Sequence, residues 1–531
     1  MTPCAADPVW PGIRPRDRLE QRQAGRTPKH SEAGDAVTVQ STNAPIDSDA
    51  AAARSVPLTV RFKAAYGAGA MADGIVAAGF GFFLLFYLTA VCGMSGTMAG
   101  TAKLIALLVD AVADPAIGLA SDRLRSRFGR RLPFMVGGLL PFACAFGLLF
   151  SVPASLTGAA QFIYVTACLV VLRLSLSFFV LPFTAAGAEV TDDYRERASI
   201  VSYRLSFQNA GILLGVVLGL GVFMAGADGM LRRANYIPFA WVCAGAMFVS
   251  GMIAIRAVRS ALPRLHGPEE GGGLFFSGFG REMIELSRNR SFLILFGTVL
   301  TYFLAYSAHV SLALHASRYF WGLDTGAIQL ILLSTTLGPL LGAPISAFAL
   351  RHIEKRTLSI AAFLAIALFL MWPPLLQLYG PAPLTPAAAT AVLFVNGLLV
   401  GTSIMIGGVG FQSMLADTAD EHEWLFGVRR EGLFFSGLTL AFKAASGLGG
   451  LIAGIALDVI RFPTDLASRA PGTPIPGDIL EKLALISGPL PALFAMVSPL
   501  FLIGYHLTRK RHAQIIANLE ERKAAATGAA T

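Results

Sequence analysis

Apolar residues in this chain occur in long blocks that are separated by short polar stretches. Twelve blocks each hold about 20 residues, the length that a helix needs to cross a hydrocarbon core of roughly 30 Å. A membrane-spanning barrel would instead show segments of about ten alternating residues, and none is present in the sequence. The pattern predicts twelve transmembrane helices, at about 64–92, 97–120, 132–152, 159–187, 200–225, 237–257, 292–316, 326–350, 357–379, 386–410, 433–460 and 484–508.

The composition supports this interpretation. Of the 531 residues, 14% are charged and 54% are hydrophobic, whereas a soluble domain carries about 25% charged residues. A water-facing surface for a chain of this size cannot be built from so few charges. We therefore expect an all-α membrane protein, and neither a soluble enzyme nor a nucleic-acid-binding protein, although the net charge is +9.

The distribution of Lys and Arg predicts the orientation of the helices. Basic residues concentrate in the loops that follow the even-numbered segments, and both tails are basic as well. Cytoplasmic loops of membrane proteins carry this excess. We therefore predict that both termini are cytoplasmic, in a multi-pass protein of the inner (plasma) membrane.

The chain divides into five parts on this basis. Residues 1–63 lack a periodic apolar face and the apolar core of a signal peptide, so we expect a disordered cytoplasmic tail. Two six-helix bundles follow, at 64–257 and 292–508, joined by a central cytoplasmic loop at 258–291 that is rich in Pro and Gly. Residues 509–531 form a second cytoplasmic tail.

Two similar loops indicate that the two bundles arose by duplication. The acidic stretches Glu189–Asp193 and Asp417–Glu421 follow the fourth and the tenth segment, six segments apart, and each leads to a pair of arginines. A parallel repeat of six helices, with the substrate between the halves, is the transporter pattern of the major facilitator fold.

Few charges lie inside the predicted membrane segments. Each costs about 2.5–3.5 kcal/mol at the bilayer centre on insertion scales, so such a residue normally faces a cavity or a partner. These residues are therefore the candidates for function: Asp73, Lys103, Asp110, Asp114, Arg173 and Lys443.

Asp110 and Asp114 are four residues apart, so a helix places both carboxylates on one face. Two such groups in a low-dielectric site repel each other, and the pair can take up a proton or share a small cation. Alternatively, the two acids are structural partners of Lys103, Arg173 or Lys443. The residues alone leave both interpretations open.

The remaining polar residues of the spans are less specific. Lys443 stands in a glycine-rich segment that permits close helix contact, and we expect it to line a cavity. Arg173 either lines the same cavity or fixes its own helix, while His309 and His315 are more typical of satisfied core histidines. The stretch 420–423 has metal-ligand residue types, but consecutive helical positions cannot all face one ion. We predict a solvated cytoplasmic loop there, and no metal site or cofactor.

Several motifs together resemble a known family. They are Tyr66-Gly67-Ala68-Gly69, Asp110-Ala-Val-Ala-Asp114-Pro115, the basic loop from Asp122 to Arg131, Asp192 to Arg204, and Arg429 to Ser436 followed by Lys443. Over about 62–508 the chain resembles the glycoside–pentoside–hexuronide:cation symporters of the major facilitator superfamily, which include melibiose permease.

The resemblance implies cation-coupled uptake by alternating access. It implies that Asp110 and Asp114 hold the coupling ion, a proton or a sodium ion, with Lys443 beside them. We expect the substrate to bind at Asp73, Arg173, Arg204 and Lys443. The resemblance also implies a cytoplasmic gate formed by Asp122, Arg123, Arg127, Arg130 and Arg131.

The chain also departs from the family pattern. Sodium-using members often carry Asn where this chain has Ala113, and the missing oxygen ligand favours a proton. Gly74, Val180 and Thr184 stand where melibiose permease has sugar-binding side chains, which argues against a galactoside.

We therefore predict a monomeric symporter, without enzymatic activity, that imports a small solute such as a sugar or glycoside. The alternatives are a symporter of a lipid-like or other amphiphilic solute and, third, a non-transporting membrane receptor.

Overall fold

The computed structural model describes residues 57–124, 126–226, 228–264, 286–427, 431–464, 466–468 and 474–528. Twelve helices in these ranges are long and apolar enough to cross a membrane, and no strand is present in them, which confirms the all-α prediction. The spans are α1 (Val60–Val91), α2 (Gly96–Arg123), α3 (Leu132–Leu149), α4 (Gly158–Glu189), α5 (Arg195–Phe223), α6 (Arg233–Ser260), α7 (Arg290–Phe320), α8 (Thr325–His352), α9 (Lys355–Tyr379), α10 (Pro386–Phe426), α11 (Glu431–Val459) and α12 (Gly477–Ile503).

Two of the predicted segments lie largely outside the described residues. The predicted N-terminal tail, 1–63, falls there except for 57–63, in which α1 already begins at Val60. Of the central loop predicted at 258–291, residues 265–285 fall outside the description, and α6 extends into it as far as Ser260.

The predicted loop after the tenth segment is wrong. Helix α10 continues to Phe426, well past the predicted end at 410, so that Asp417, Glu421 and His422 are helical. These side chains are buried rather than solvated. The physical reason is that the polar extension packs on another helix, so its polar residues find partners instead of water.

That partner helix is α13 (Arg509–Gly528), in the part of the chain predicted as a tail. Its apolar side chains Ile515 and Leu519 are buried. The Nε2 atom of His512 lies 3.0 Å from Oδ2 of Asp420, and Lys523 pairs with Glu423 at 2.9 Å. The C-terminal helix is thus held on the end of α10 by apolar contact and by charge.

The packing of the helices repeats after six spans. In the first half α1 packs on α5 and α6, α2 packs on α4, and α3 packs on α4 and α6. In the second half α7 packs on α11 and α12, α8 on α10, and α9 on α10 and α12. The contacts between the halves follow the same symmetry, because α2 meets α11, α5 meets α8, and α1 meets α7.

We call the side of the membrane that carries the α2–α3, α4–α5 and α8–α9 loops the basic face, and the other side the far face. The two halves meet closely near the far face. At the start of α2, a side chain on Gly96 would overlap the backbone of Gly454 on α11, and one on Gly221 of α5 would meet Gln329 of α8. Glycine therefore allows the helices to approach to backbone contact here.

A carboxylate from the second half caps the first turn of α2. The backbone N–H groups of Gly96 and Thr97 donate to Asp458 of α11, at 2.8 and 2.7 Å. The next N–H, of Met98, donates to the Ser95 hydroxyl at 3.2 Å. Three of the N–H groups that a helix start leaves unpaired are thereby satisfied, two of them by the opposite half.

Prediction: Gly454→Val prevents closure at the far face. The added side chain overlaps the start of α2, and we expect the halves to separate there while each half stays folded. The measurement is maleimide labelling, from the far side, of a single cysteine at Ala99, which is buried on α2, in a background without native cysteines. We expect the labelling rate to rise by about tenfold or more, because residue 99 is protected by burial in the wild-type protein and loses this protection in the variant.

The matched control is Gly245→Val on α6, where an added side chain meets nothing within 4 Å. An unchanged labelling rate in Gly454→Val would show that the glycine contact does not determine closure.

Candidate functional site

Two acidic and two basic side chains meet in the middle of the bundle. They belong to Asp110, Asp114, Arg173 and Lys443, and we call these four residues the central charge cluster. The Lys443 ammonium lies 2.8 Å from Oδ2 of Asp110 and also pairs with Asp114. Arg173 pairs with the same Oδ2 of Asp110. The Ser177 hydroxyl donates to the other oxygen of Asp110 at 2.7 Å.

Local helix geometry explains this arrangement. Asp110 and Asp114 lie one turn apart on α2, so both carboxylates reach the same ammonium. Arg173 and Ser177 are likewise four residues apart on α4, which packs directly on α2. Lys443 comes from α11, which meets α2 from the other half. The cluster therefore joins the halves at a point away from the far-face contacts.

The cluster is buried and balanced in charge. Asp110 is fully buried, whereas the side chains of Asp114 and Lys443 are 18% and 19% exposed. Two carboxylates face two cations, as burial in a low-dielectric interior requires. Oδ1 of Asp114 has no hydrogen-bond partner among the described residues, so one carboxylate oxygen can accept a further ligand.

Asp73 on α1 lies near the cluster and is held by an amide. Nε2 of Gln208 on α5 donates to Oδ2 of Asp73 at 2.6 Å. Arg173, Arg204 and Lys443 are all within electrostatic reach of this carboxylate. The four residues predicted to bind substrate, Asp73, Arg173, Arg204 and Lys443, are thus brought around one region.

The structure places the two histidines of α7 elsewhere. Nε2 of His315 lies 2.9 Å from the Thr89 hydroxyl, and its ring packs on Phe86 and Phe462. Nδ1 of His309 lies 2.6 Å from the carbonyl oxygen of Ser487. Nδ1 of His315 has no hydrogen-bond partner among the described residues, and His309 also lines a cavity. That both are satisfied core histidines stays a prediction.

The predicted gate residues lie at the basic face, around an acid of α4. Glu189 accepts from Arg131 at 2.7 Å and from Arg130 at 2.9 Å. Arg131 also pairs with Asp122 and donates to the Ser121 hydroxyl at 2.8 Å. These contacts all lie within the first half of the chain.

The other two predicted gate residues lie at the same end of α2. The guanidinium of Arg127 lies over the ring of Phe128, 4.7 Å from its centroid, and Arg123 is exposed in the last turn of α2. The second half has a similar ion pair, in which Lys355 at the start of α9 contacts Asp417 of α10 at 2.7 Å.

Sequence reasoning missed four residues with evident roles in these contacts. Ser177 and Gln208 are polar side chains within apolar spans, and this position alone could have marked them as candidates for contacts with the buried charges. Glu189 and Asp458 lie at helix ends, where acids are common, so the sequence offered no signal that Glu189 pairs with the α2–α3 loop or that Asp458 caps α2.

Comparison with known proteins identifies the family. Residues 65–509 match the family described as MFS/sugar transport protein. The chain belongs to this family. The resemblance drawn from the motifs is therefore confirmed, and the protein is a multi-pass membrane transporter of a small solute rather than an enzyme.

Two relatives match over most of their length. An uncharacterized symporter of Synechocystis is 27% identical, with 87% of this chain and 96% of the relative covered. A protein of Escherichia coli whose name describes glycoside/cation symport is 25% identical, with 88% and 96% covered.

The fold agrees with a solved structure of the same superfamily. The crystal structure of a D-xylose-proton symporter matches with a TM-score of 0.56 at 13% identity, covering 84% of this chain and 98% of the other. This likeness shows the major facilitator fold.

Prediction: Lys443→Met destabilises the protein, and Asp114→Asn in the same chain restores part of the loss. Removing the ammonium leaves two buried carboxylates with one cation, which costs about 3–5 kcal/mol for a buried pair. Removing one carboxylate as well rebalances the charge. The measurement is thermal unfolding of the purified single and double variants in detergent.

The control is Lys482→Met, which removes a lysine that is 53% exposed. Additive effects of the two cluster substitutions, without any recovery, would show that the residues are not energetically coupled.

Proposed function

We propose that this protein is a cation-coupled symporter that imports a small solute, a sugar or glycoside, by alternating access. The observation that carries the proposal is the Lys443 ammonium between Asp110 and Asp114. It occupies the place that a coupling cation would take, and it comes from the opposite half of the chain. Cation binding and the contact between the halves are therefore linked at one point.

The coupling step follows from charge balance. A proton or sodium ion that binds at Asp110 and Asp114 replaces the positive charge that Lys443 supplies. The unpartnered Oδ1 of Asp114 offers the first oxygen for it. Ala113 supplies no oxygen ligand beside the two acids, which favours a proton as the coupling ion. Cation loading then frees the Lys443 ammonium.

The freed ammonium faces the substrate region. Lys443 and Arg173 can donate charge-assisted hydrogen bonds to the hydroxyl groups of a sugar, and Asp73 can accept hydrogen bonds from those hydroxyl groups. Arg204 and Gln208 complete this polar wall from α5. The substrate thus binds best after the cation, and neither crosses efficiently alone. The name of the Escherichia coli relative, which describes glycoside/cation symport, supports this pairing of substrate and ion.

The excess of basic residues assigns the basic face to the cytoplasm and the far face to the outside of the inner membrane. On this assignment, the contacts of Gly96, Gly454 and Asp458 close the protein toward the outside of the membrane. In the outward-open state the gate residues around Arg130 and Arg131 exchange their Glu189 contacts for partners in the second half.

A second candidate function is transport of an amphiphile. The observation that favours it is a cavity of about 110 Å³ between α7, α8, α9, α10 and α12, with Phe82 of α1 at its wall and a mainly aromatic and aliphatic lining that includes Tyr306 and Trp321. An acyl or aryl group fits such a lining better than a sugar does. Inhibition of uptake by single-chain amphiphiles below their micelle concentration, with no effect of sugars, would favour this candidate.

Prediction: Asp114→Asn abolishes gradient-driven uptake while the protein stays folded. Asn cannot take up the coupling proton or carry the charge that attracts a cation, but its shape is nearly the same. The measurement is solute accumulation in proteoliposomes under an imposed proton or sodium gradient, with substrate exchange at equilibrium as the test of binding. We expect accumulation to fall to background.

The control is Asp478→Asn, which changes an exposed acid of α12. Accumulation at the wild-type level by Asp114→Asn would contradict the assignment of the coupling site.

A further inference from the structure

One buried cation takes no part in the central charge cluster. Lys103 lies on α2, two turns before Asp110, and is 7% exposed. Its side chain lies against Gly450 of α11, where only a hydrogen leaves room for the lysine chain. The residue therefore sits at the junction of the two halves, on the far-face side of the cluster.

Lys103 has no compensating partner in the part of the chain that the structure describes. No acceptor or acid contacts its ammonium there. The charged group within electrostatic reach is Arg173, which is another cation. The other embedded charges balance, with Asp73, Asp110 and Asp114 against Arg173, Arg204 and Lys443. The positive charge of Lys103 is left over, and such a charge is strongly unfavourable in a dry interior.

The space beside the ammonium is small and lies between the two halves. It measures about 10 Å³, and its lining includes Phe80 and Leu84 of α1, Ala99 of α2, Ser311 of α7 and Gly450 of α11. A space of this size holds about one water molecule and no sugar. The flexible end of the Lys103 side chain forms one wall, so a small shift of this chain enlarges the space to the size of a halide ion. Ser311 of α7, itself buried, provides a hydroxyl on the opposite wall.

The chemistry of this lining selects an anion. The ammonium and the hydroxyl are hydrogen-bond donors, while the surrounding leucines and Phe80 offer no ligands to a cation. A bound water would leave the charge uncompensated, whereas a monovalent, weakly hydrated anion neutralises it. We propose that Lys103 and Ser311 bind a halide ion, chloride under ordinary conditions, between α1, α2, α7 and α11.

This site would act on the transport cycle through its position. Its lining comes from α1 and α2 of the first half and from α7 and α11 of the second. Separation of the halves at the far face would take the site apart, so the anion binds the closed form better. Chloride therefore shifts the equilibrium toward the form that is closed at the far face.

The test is thermal unfolding of the purified protein in choline chloride and in choline gluconate, at equal ionic strength and pH and without sodium. We expect chloride to raise the melting temperature in a saturable way, by a few degrees. Bromide should reproduce the rise, and sulfate, which is divalent and too large for the space, should not.

Two variants assign the effect to the site. Lys103→Met keeps the shape of the side chain and removes the charge, so the chloride-dependent rise should vanish while stability in gluconate is kept or increased. Lys482→Met, which changes an exposed lysine of α12, should respond to chloride as the wild type does. If Lys103→Met cannot be purified, Ser311→Ala serves, with an expected loss of halide affinity of about tenfold.

Equal melting temperatures in chloride and gluconate for the wild-type protein would overturn the proposal. A chloride response that persists unchanged in Lys103→Met, or in Ser311→Ala where that variant is used, would also overturn it. The measurement requires no transport, so its result is independent of the proposed symport.

Discussion

A charge inside the membrane must be compensated, and this requirement organises the middle of the protein. Lys443 belongs to the second half, yet its nearest opposite charges, Asp110 and Asp114, belong to the first. Neither half can bury its own charges alone, so the halves must meet at this point. Any cation that binds the two acids alters this balance, which is how a bound ion can influence the arrangement of twelve helices.

The remaining contacts between the halves combine close backbone approach with apolar packing. Near the far face the backbones of α2 and α11 touch at Gly96 and Gly454, and a buried apolar core beside them includes residues of both halves, such as Leu88 and Leu457. Large buried aromatic residues pack within a half, as Phe142 does on Phe179, and also across the halves, as Phe86 does on His315 and Tyr319. Opening the far face must therefore part an apolar core as well as the backbone contacts.

The sequence predicted the helices well because a span of about 20 apolar residues has few other uses. It failed at the end of α10, where the polar residues Asp417, Glu421 and His422 look like a loop until α13 covers them. The acids of the central cluster were found because they interrupt apolar spans. Their pairing with Lys443, more than 300 positions later, depends on tertiary packing that no local pattern encodes, and the roles assigned to these residues stay predictions.

The cap on α2 has an asymmetry with evolutionary meaning. One partner is the carboxylate of Asp458, and the other is the main chain at Gly96 and Thr97. At Thr97 every amino acid except proline supplies the same N–H, so drift there leaves the bond intact, whereas any side chain at Gly96 would overlap the backbone of Gly454. The far-face contact is therefore exposed to genetic loss at Asp458 and at the two glycines, and is insensitive to the identity of residue 97 unless that residue is proline.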